Sequence, residues 1–378
     1  MPKIFEIFGY RLNDKSSEAQ NARIKALCPF MGKPCDGGGN RFASHIHLKD
    51  THPLRAHFDP ALEKAPSGVC SIQTKAGESP WIVCPRRLLS FDRSTSALSA
   101  HDALQSAILV HSGFRPSTTI GVWAEVKIKV KSNQAGALNA EDSDDKNFDY
   151  TFDYVLFSLG RVRLDEISAM AQLTKPKTRT ALIQSGFTLA LRDGIDWVED
   201  FPIGPPTIIE IMTSSTSGGN KTKRTTIPMA FEDAIKGAKH QAPRINYRQV
   251  WARMVSQLIV KSEVGIAWGG RTFWVLQDLL VDYISESTKL NIRQFLSHAP
   301  SEVNIVTMGY DKNCIGADTD KAALTNPHLY AGPIAAEHDD LSAPSFEDII
   351  HVGEVPQLSK LLSVIMRKPR TRTIRLPQ

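Results

Sequence analysis

The chain has 378 residues, 42% apolar and 22% charged, with a net charge of +5. That length can bury a full core, as two domains or as one large domain with an insertion, and the composition excludes wholesale disorder. No apolar run approaches the ~18 residues of a membrane helix.

The start, Met1-Pro2-Lys3-Ile4-Phe5-Glu6, lacks the apolar core and small-residue cleavage site of an export signal. The expectation is therefore a cytoplasmic protein with no membrane partner, whose five cysteines are poor candidates for disulfides. The positive charge is concentrated. Arg367, Lys368, Arg370, Arg372 and Arg375 form an acid-free tail over 367–378, and without them the remainder would be neutral. Eight bases between Lys221 and Arg253 face only Glu232 and Asp233. Two basic blocks on a neutral body point to a polyanion partner.

In chain order, Ile4 to Tyr10 reads as a strand and Ser16 to Leu27 as a modest helix. Cys28, Cys35, Cys70 and Cys84 then fall in a Gly- and Pro-rich region, with Cys314 far away. Such a region buries little core of its own, and a four-thiolate metal would hold it together. Cys70 and Cys84 flank an expected hairpin, whose closure sets their sulfurs side by side. The intervals of six, thirty-four and thirteen residues match no zinc-finger pattern, so free core cysteines remain the alternative. His45, His47, His52 and His57 are rival ligands in a polar loop.

Residues 86–120 read as helical pieces. Val122 to Val130 alternates as a strand, with Glu125 and Lys127 on one face, and 131–147 is a polar, acidic loop. Two apolar segments then each carry one acid: Phe152-Asp153-Tyr154-Val155-Leu156-Phe157 and Thr207-Ile208-Ile209-Glu210-Ile211-Met212-Thr213. Both are short and rich in β-branched or aromatic residues, so both read as strands close to a core. A carboxylate there is costly unless it is paired or bound to a cation. If the strands are neighbours, Asp153 and Glu210 can share one divalent ion; the plainer reading is that each pairs with a nearby base.

A charged, helical connection over 161–192 joins the two, which implies either a right-handed crossover or a mixed sheet with helical cover. Pro202, Pro205 and Pro206 precede the second strand. Beyond it, Tyr247, Trp251, Met254, Val255 and Leu258 lie on one side of a helix, with Gln249, Arg253 and Ser256 on the other. A second helix is predicted from Thr272 to about Ile284, then a strand over 304–308 and an acidic, Pro-containing stretch over 333–346.

An acid on one strand and an acid-x-X on its neighbour is the core arrangement of PD-(D/E)-x-K nucleases, where carboxylates hold Mg²⁺ against the scissile phosphate. The chain also resembles the NotI-type restriction endonucleases, a branch of that superfamily. The resemblance rests on Phe5-Glu6-Ile7-Phe8-Gly9-Tyr10-Arg11, Cys28-Pro29-Phe30, Gly68-Val69-Cys70, Trp81-Ile82-Val83-Cys84-Pro85, Phe152-Asp153-Tyr154 and Ile209-Glu210-Ile211-Met212-Thr213. It covers residues 4–285 in patches.

The resemblance implies an α/β fold: a PD-(D/E)-x-K core, a mixed sheet flanked by helices, over 96–366, with an N-terminal four-cysteine metal-binding lobe over 1–95 and the basic tail over 367–378. It implies a structural iron on Cys28, Cys35, Cys70 and Cys84, where the thiolates alone fit zinc equally well. It implies catalytic Mg²⁺ on Asp153 and Glu210, in a prokaryotic type II restriction endonuclease that acts as a homodimer on double-stranded DNA at a short palindrome.

Met212 departs from the superfamily's lysine, since a thioether cannot orient water as an amine would. Metal-bound water could suffice, a base such as Lys221 or Lys223 could migrate in, or the site has decayed. Glu125-Val126-Lys127 is a literal E-x-K that could add a third carboxylate, though residue 125 precedes the Asp153 strand and also reads as an ordinary exposed face. Arg248, Arg253, Gln257 and Arg271 are candidate DNA contacts, to bases or to phosphates. The alternatives in function are a metal-stapled DNA-binding protein without catalysis and a repair nuclease of the same superfamily.

Overall fold

The computed structural model describes residues 1–38, 45–92, 99–130, 148–288, 292–311, 324–325, 327–332 and 357–375. Cys314, the 131–147 loop and the 333–346 stretch lie outside the described residues.

The N-terminal part begins with β1 (Lys3–Ile7), β2 (Tyr10–Arg11) and α1 (Ser17–Ile24), the last capped by Ser16, whose side chain accepts from the Ala19 N–H. Short strands follow: β3 (Leu27–Cys28), β4 (Lys33–Pro34), β5 (His45–His47), β6 (Lys64–Pro66), β7 (Val69–Gln73) and β8 (Trp81–Ile82), then the single turn α2 (Pro85–Leu88). Strands β2-β1-β7-β8 form one sheet, and the expected hairpin is present as the antiparallel pair β7–β8.

After α3 (Ser99–His111), the main sheet starts with β9 (Thr119–Val130) and β10 (Phe148–Arg163), then α4 (Leu164–Met170), α5 (Lys175–Gln184), β11 (Leu189–Arg192) and β12 (Ile195–Met212). It continues through α6 (Ile227–Ile235), α7 (Tyr247–Ala267), β13 (Arg271–Gln277), α8 (Asp278–Thr288), β14 (Val303–Met308) and β15 (His328–Gly332) to α9 (Leu358–Ile365) and β16 (Arg372–Arg375). The order is β15-β14-β13-β12-β10-β9-β16, with β11 pairing β12. The fold is thus α/β with a large mixed sheet flanked by helices. No helix among the described residues is long and apolar enough to cross a membrane.

The acid-bearing strands β10 and β12 are antiparallel neighbours, so of the two expected connections the mixed sheet is the one present. The parallel step comes later, from β12 to β13. Strand β12 runs through Pro202, Pro205 and Pro206, which the sequence placed ahead of the strand. Gly204-Pro205-Pro206 sits where the register to β10 shifts between Leu156–Thr207 and Ser158–Ile203. At such a bulge a missing N–H leaves no ladder position empty.

Residues Thr272 to Gln277, expected to open a helix, are instead the strand β13, paired in parallel on both sides to β12 and β14. Phe273, Trp274, Val275 and Leu276 are all fully buried. A continuous apolar run is what a parallel strand covered on both faces requires, and periodicity alone does not separate it from a helix.

One face of the main sheet packs Tyr154, Leu156, Ile209 and Phe273 against Leu88, Phe91, Leu104 and Ile108. The other packs Val155, Phe157 and Ile208 against α4, α5, α7 and α9. The N-terminal sheet shares a third core with α6, α7 and α8, in which Ile7, Phe8 and Ile72 join Phe231, Met254 and Leu280. Gln277 fastens the two sheets, accepting from the Ile82 N–H at 2.8 Å and donating to the Pro80 carbonyl at 2.7 Å.

A second fastening is fully buried: Glu6 accepts two hydrogen bonds from Arg87 at 3.0 Å, one from Ser71 at 2.9 Å and one from the Tyr310 hydroxyl. The basic tail, read from its charge as a polyanion-binding block, supplies an edge strand. There β16 pairs with β9, and Arg370 bonds Asp200 at 2.9 Å while lying over Trp123 and Phe187.

Candidate active site and cysteine cluster

Three acids form a row across three adjacent strands. The β10–β12 ladder pairs Tyr154 with Ile209, so Asp153 and Glu210 are the next residues across from one another. The β9–β10 ladder pairs Phe152 with Val126 and Tyr154 with Ala124, which sets Glu125 opposite Asp153 from the other side. Glu125 is therefore not an ordinary strand face. It has φ +50°, a left-handed conformation costly for a residue with a Cβ, and it lines the same cavity as Asp153.

Asp153 Oδ2 accepts from the Ile211 N–H at 2.8 Å, taking over a ladder bond where the strands part. Burial raises its carboxyl above the ordinary range, against the Ile211 N–H and the cations Lys261 and Arg86. Glu210 is 2% exposed. Burial and the neighbouring Asp153 charge push its carboxyl up to about 8, against Lys261. Its Oε1 is buried with no hydrogen-bond partner. Two facing carboxyls that resist ionisation, one with an unpaired buried oxygen, suit a hard divalent cation.

The other Glu210 oxygen is bound. Lys261 Nζ lies 2.5 Å from Oε2 and 5.9 Å from the centre of the Phe152 ring. Lys261 comes from α7, whose first turn is capped by the Asn246 side chain accepting from the Gln249 N–H. Met254, Leu258 and Gly265 share its stripe, which faces the core. A Cβ on Gly265 would stand 2.5 Å from Thr272 Oγ1, so glycine lets α7 settle onto β13 without displacing that side chain and brings the amine one turn earlier down onto Glu210. Lys221 and Lys223, the bases expected to migrate in, stay exposed.

A cavity of about 310 Å³ opens above the row, lined by Glu125, Asp153, Met212, Arg86, Arg253 and Asp36 among others. Glu210 lies beneath its floor and is not part of the lining. Arg253 is exposed at the cavity and Gln257 is half-buried one turn further along α7. Arg248 is in α7, with its side chain outside the described residues. Arg271 begins β13 and donates to the His111 carbonyl at 3.0 Å, level with Thr207 and away from the row.

Cys28, Cys70 and Cys84 are buried together with Phe30 and Met31, and Cys35 packs against them. Cys84 is the hub. Its contact with Cys70 holds Cys84 below and Cys70 above the ordinary thiol range, while the Cys70 thiol donates to the Gly68 carbonyl at 3.7 Å. Burial and the Cys84 charge push Cys28 up to about 12 and raise Cys35 further.

Backbone N–H groups are aimed at the sulfurs: Gly9 donates to Cys70 Sγ at 3.3 Å and Gly37 to Cys35 Sγ at 3.5 Å. Buried thiols crowded together, three of which resist ionisation, are a set a soft cation would relieve. Among the described residues, however, no group of three or more His, Cys, Asp or Glu side chains is so arranged as to hold a metal ion. Of the four rival histidines, His45, His47 and His57 are exposed and His52 is half-buried, its Nδ1 accepting from the Leu54 N–H at 3.2 Å.

Sequence reasoning missed Lys261 and Arg86. A lysine on an apolar helical stripe was the available signal for the first; the second carries none. Compared with known proteins, the chain matches no family model and no curated protein sequence.

Proposed function

We propose that the protein is a Mg²⁺-dependent nuclease that hydrolyses phosphodiester bonds in duplex DNA, acting as a type II restriction endonuclease, in homodimeric form, at a short palindrome. The observation that carries this reading is the row Glu125, Asp153, Glu210, with Lys261 supplying at Glu210 the amine that Met212 lacks. Asp153 and Glu210 would hold the Mg²⁺, with Glu125, opposite Asp153 on β9, as a third carboxylate. A bound Mg²⁺ supplies charge stabilisation on the scissile phosphate and a water of lowered pKa.

The chain's own residues prepare that site. The Ile211 N–H fixes Asp153, and Lys261 fixes the Glu210 carboxylate and favours its charged form. Arg253 at the rim and Gln257 behind it offer donors to phosphate or to base edges. The cysteine cluster, with iron or zinc bound, would brace the wall of the cavity that Asp36, Gly38 and Arg86 form.

A second reading, a metal-stapled DNA-binding protein without catalysis, is favoured by Met212 in the cavity and by the depth of Glu210. Incubating the purified protein with a plasmid of known sequence and Mg²⁺ separates the two. Discrete fragments, lost in Glu210→Gln while DNA binding persists, support the restriction enzyme. Ragged degradation points to a repair nuclease. Retardation without cutting across a range of divalent metals rejects catalysis.

A further inference from the structure

We infer that Arg86 grips the phosphate that enters the cavity, an inference that takes its substrate from the nuclease reading but not its test. Arg86 is the second residue of α2 and 15% exposed, and it lines the cavity together with Val250 and Arg253 of α7. Its Nε and Nη2 donate to Asp36 Oδ2 at 3.4 and 3.3 Å, its Nη1 donates to the Tyr154 hydroxyl at 3.1 Å, and Glu125 stands 3.6 Å away.

These contacts are long for a guanidinium, whose charge-assisted bonds run about 2.7–2.9 Å. They also use only three of its five N–H groups in hydrogen bonds; the second donor on Nη2 faces Glu125 at 3.6 Å, and the second on Nη1 is left over. The adjacent Arg87 makes the contrast: it is 3% exposed, doubly bonded to Glu6 at 3.0 Å, and has no access to the cavity. Of two consecutive arginines, one is spent on the fold. The other is held loosely in a cavity that also presents Asp153.

Its mount is rigid. Pro85 fixes the backbone before it, the Arg87 N–H donates to the Cys84 carbonyl at 3.1 Å, and the Arg87 side chain is locked on Glu6. Asp36 belongs to the turn that leans on the hub cysteine: it accepts from the Gly38 N–H at 2.9 Å, and a Cβ on Gly38 would stand 2.6 Å from Cys84 Sγ. A planar fork on a fixed turn, held at long range by Asp36 and Glu125 and with a donor left on Nη1, is suited to exchange those long contacts for a tetrahedral phosphate.

The test compares native protein, Arg86→Gln, Arg86→Lys and Glu210→Gln in Mg²⁺. Binding of inorganic phosphate is followed by ³¹P NMR linewidth, plasmid cleavage is measured in parallel, and thermal midpoints confirm folding. Arg86→Gln is expected to weaken phosphate binding at least about tenfold and to slow cleavage by about 100-fold, the scale for losing one charged donor at a reacting phosphate. Arg86→Lys is expected to fall between. Phosphate binding in Arg86→Gln equal to native, or none in the native protein, overturns the inference. Phosphate binding that depends on Arg86 in a native protein that never cuts DNA sustains the grip and removes the nuclease reading instead.

Discussion

Lys261 and Glu210, fifty-one residues apart in the chain, stand 2.5 Å from one another with both side chains largely buried. The strand position two residues after Glu210 holds Met212, so the cation at this carboxylate comes from the helix above. Replacing Lys261 by Met is expected to cut cleavage by about 100-fold or more. Removing one partner of a buried pair costs roughly 3–5 kcal/mol, and the cost here falls toward the low end because Glu210 can take up a proton instead. Met212→Lys in the same background returns an amine from the strand side. Cleavage above the Lys261→Met level in the double variant supports the transposition, and equal activity in the two variants argues against it.

The Glu210 carboxyl, ordinarily near 4.5, titrates in the folded chain at about 8. Between these values the folded state keeps a proton that the unfolded state has released, so stability falls as pH rises. The contribution is complete below about 4.5 and lost as pH climbs through 8. Chemical denaturation without added Mg²⁺ from pH 5 to 9 is expected to show this decline and Glu210→Gln to flatten it. An unchanged slope in the variant would place the titration elsewhere.

Elemental analysis of purified protein is expected to give about one iron or zinc per chain, and chelation to lower the thermal midpoint. Cys84→Ser, which removes the hub sulfur, should lose the metal and at least about 3 kcal/mol. A native protein that is metal-free and equally stable would leave the cysteines as core thiols.

Truncation after Met366 removes the Arg370–Asp200 pair and the β16 ladder on β9. The expected loss is roughly 2–4 kcal/mol, the scale for a half-buried ion pair together with an edge strand. A tail serving only as a phosphate binder would instead leave the denaturation midpoint unchanged and weaken DNA binding alone.

Several features were legible from residue types because they depend on local pattern. The alternation from Val122 to Val130, the hairpin that joins Cys70 to Cys84 and the apolar flanks of Asp153 and Glu210 each declare a strand or turn within a few residues. The helix-versus-strand choice at Thr272 failed because a strand buried on both faces has no period of two to read. The tail misled because its charge pattern says nothing of Arg370 folding back over Trp123.

The sequence by itself determined which acids lie in apolar strands and which cysteines share a region, since burial preference and chain proximity are properties of short segments. Only the tertiary structure decided that Glu125, Asp153 and Glu210 share one row and that Lys261 and Arg86, from α7 and α2, reach its two ends. Strand register and helix docking are fixed by packing between residues tens to hundreds of positions apart, here by contacts as specific as Gly265 against Thr272.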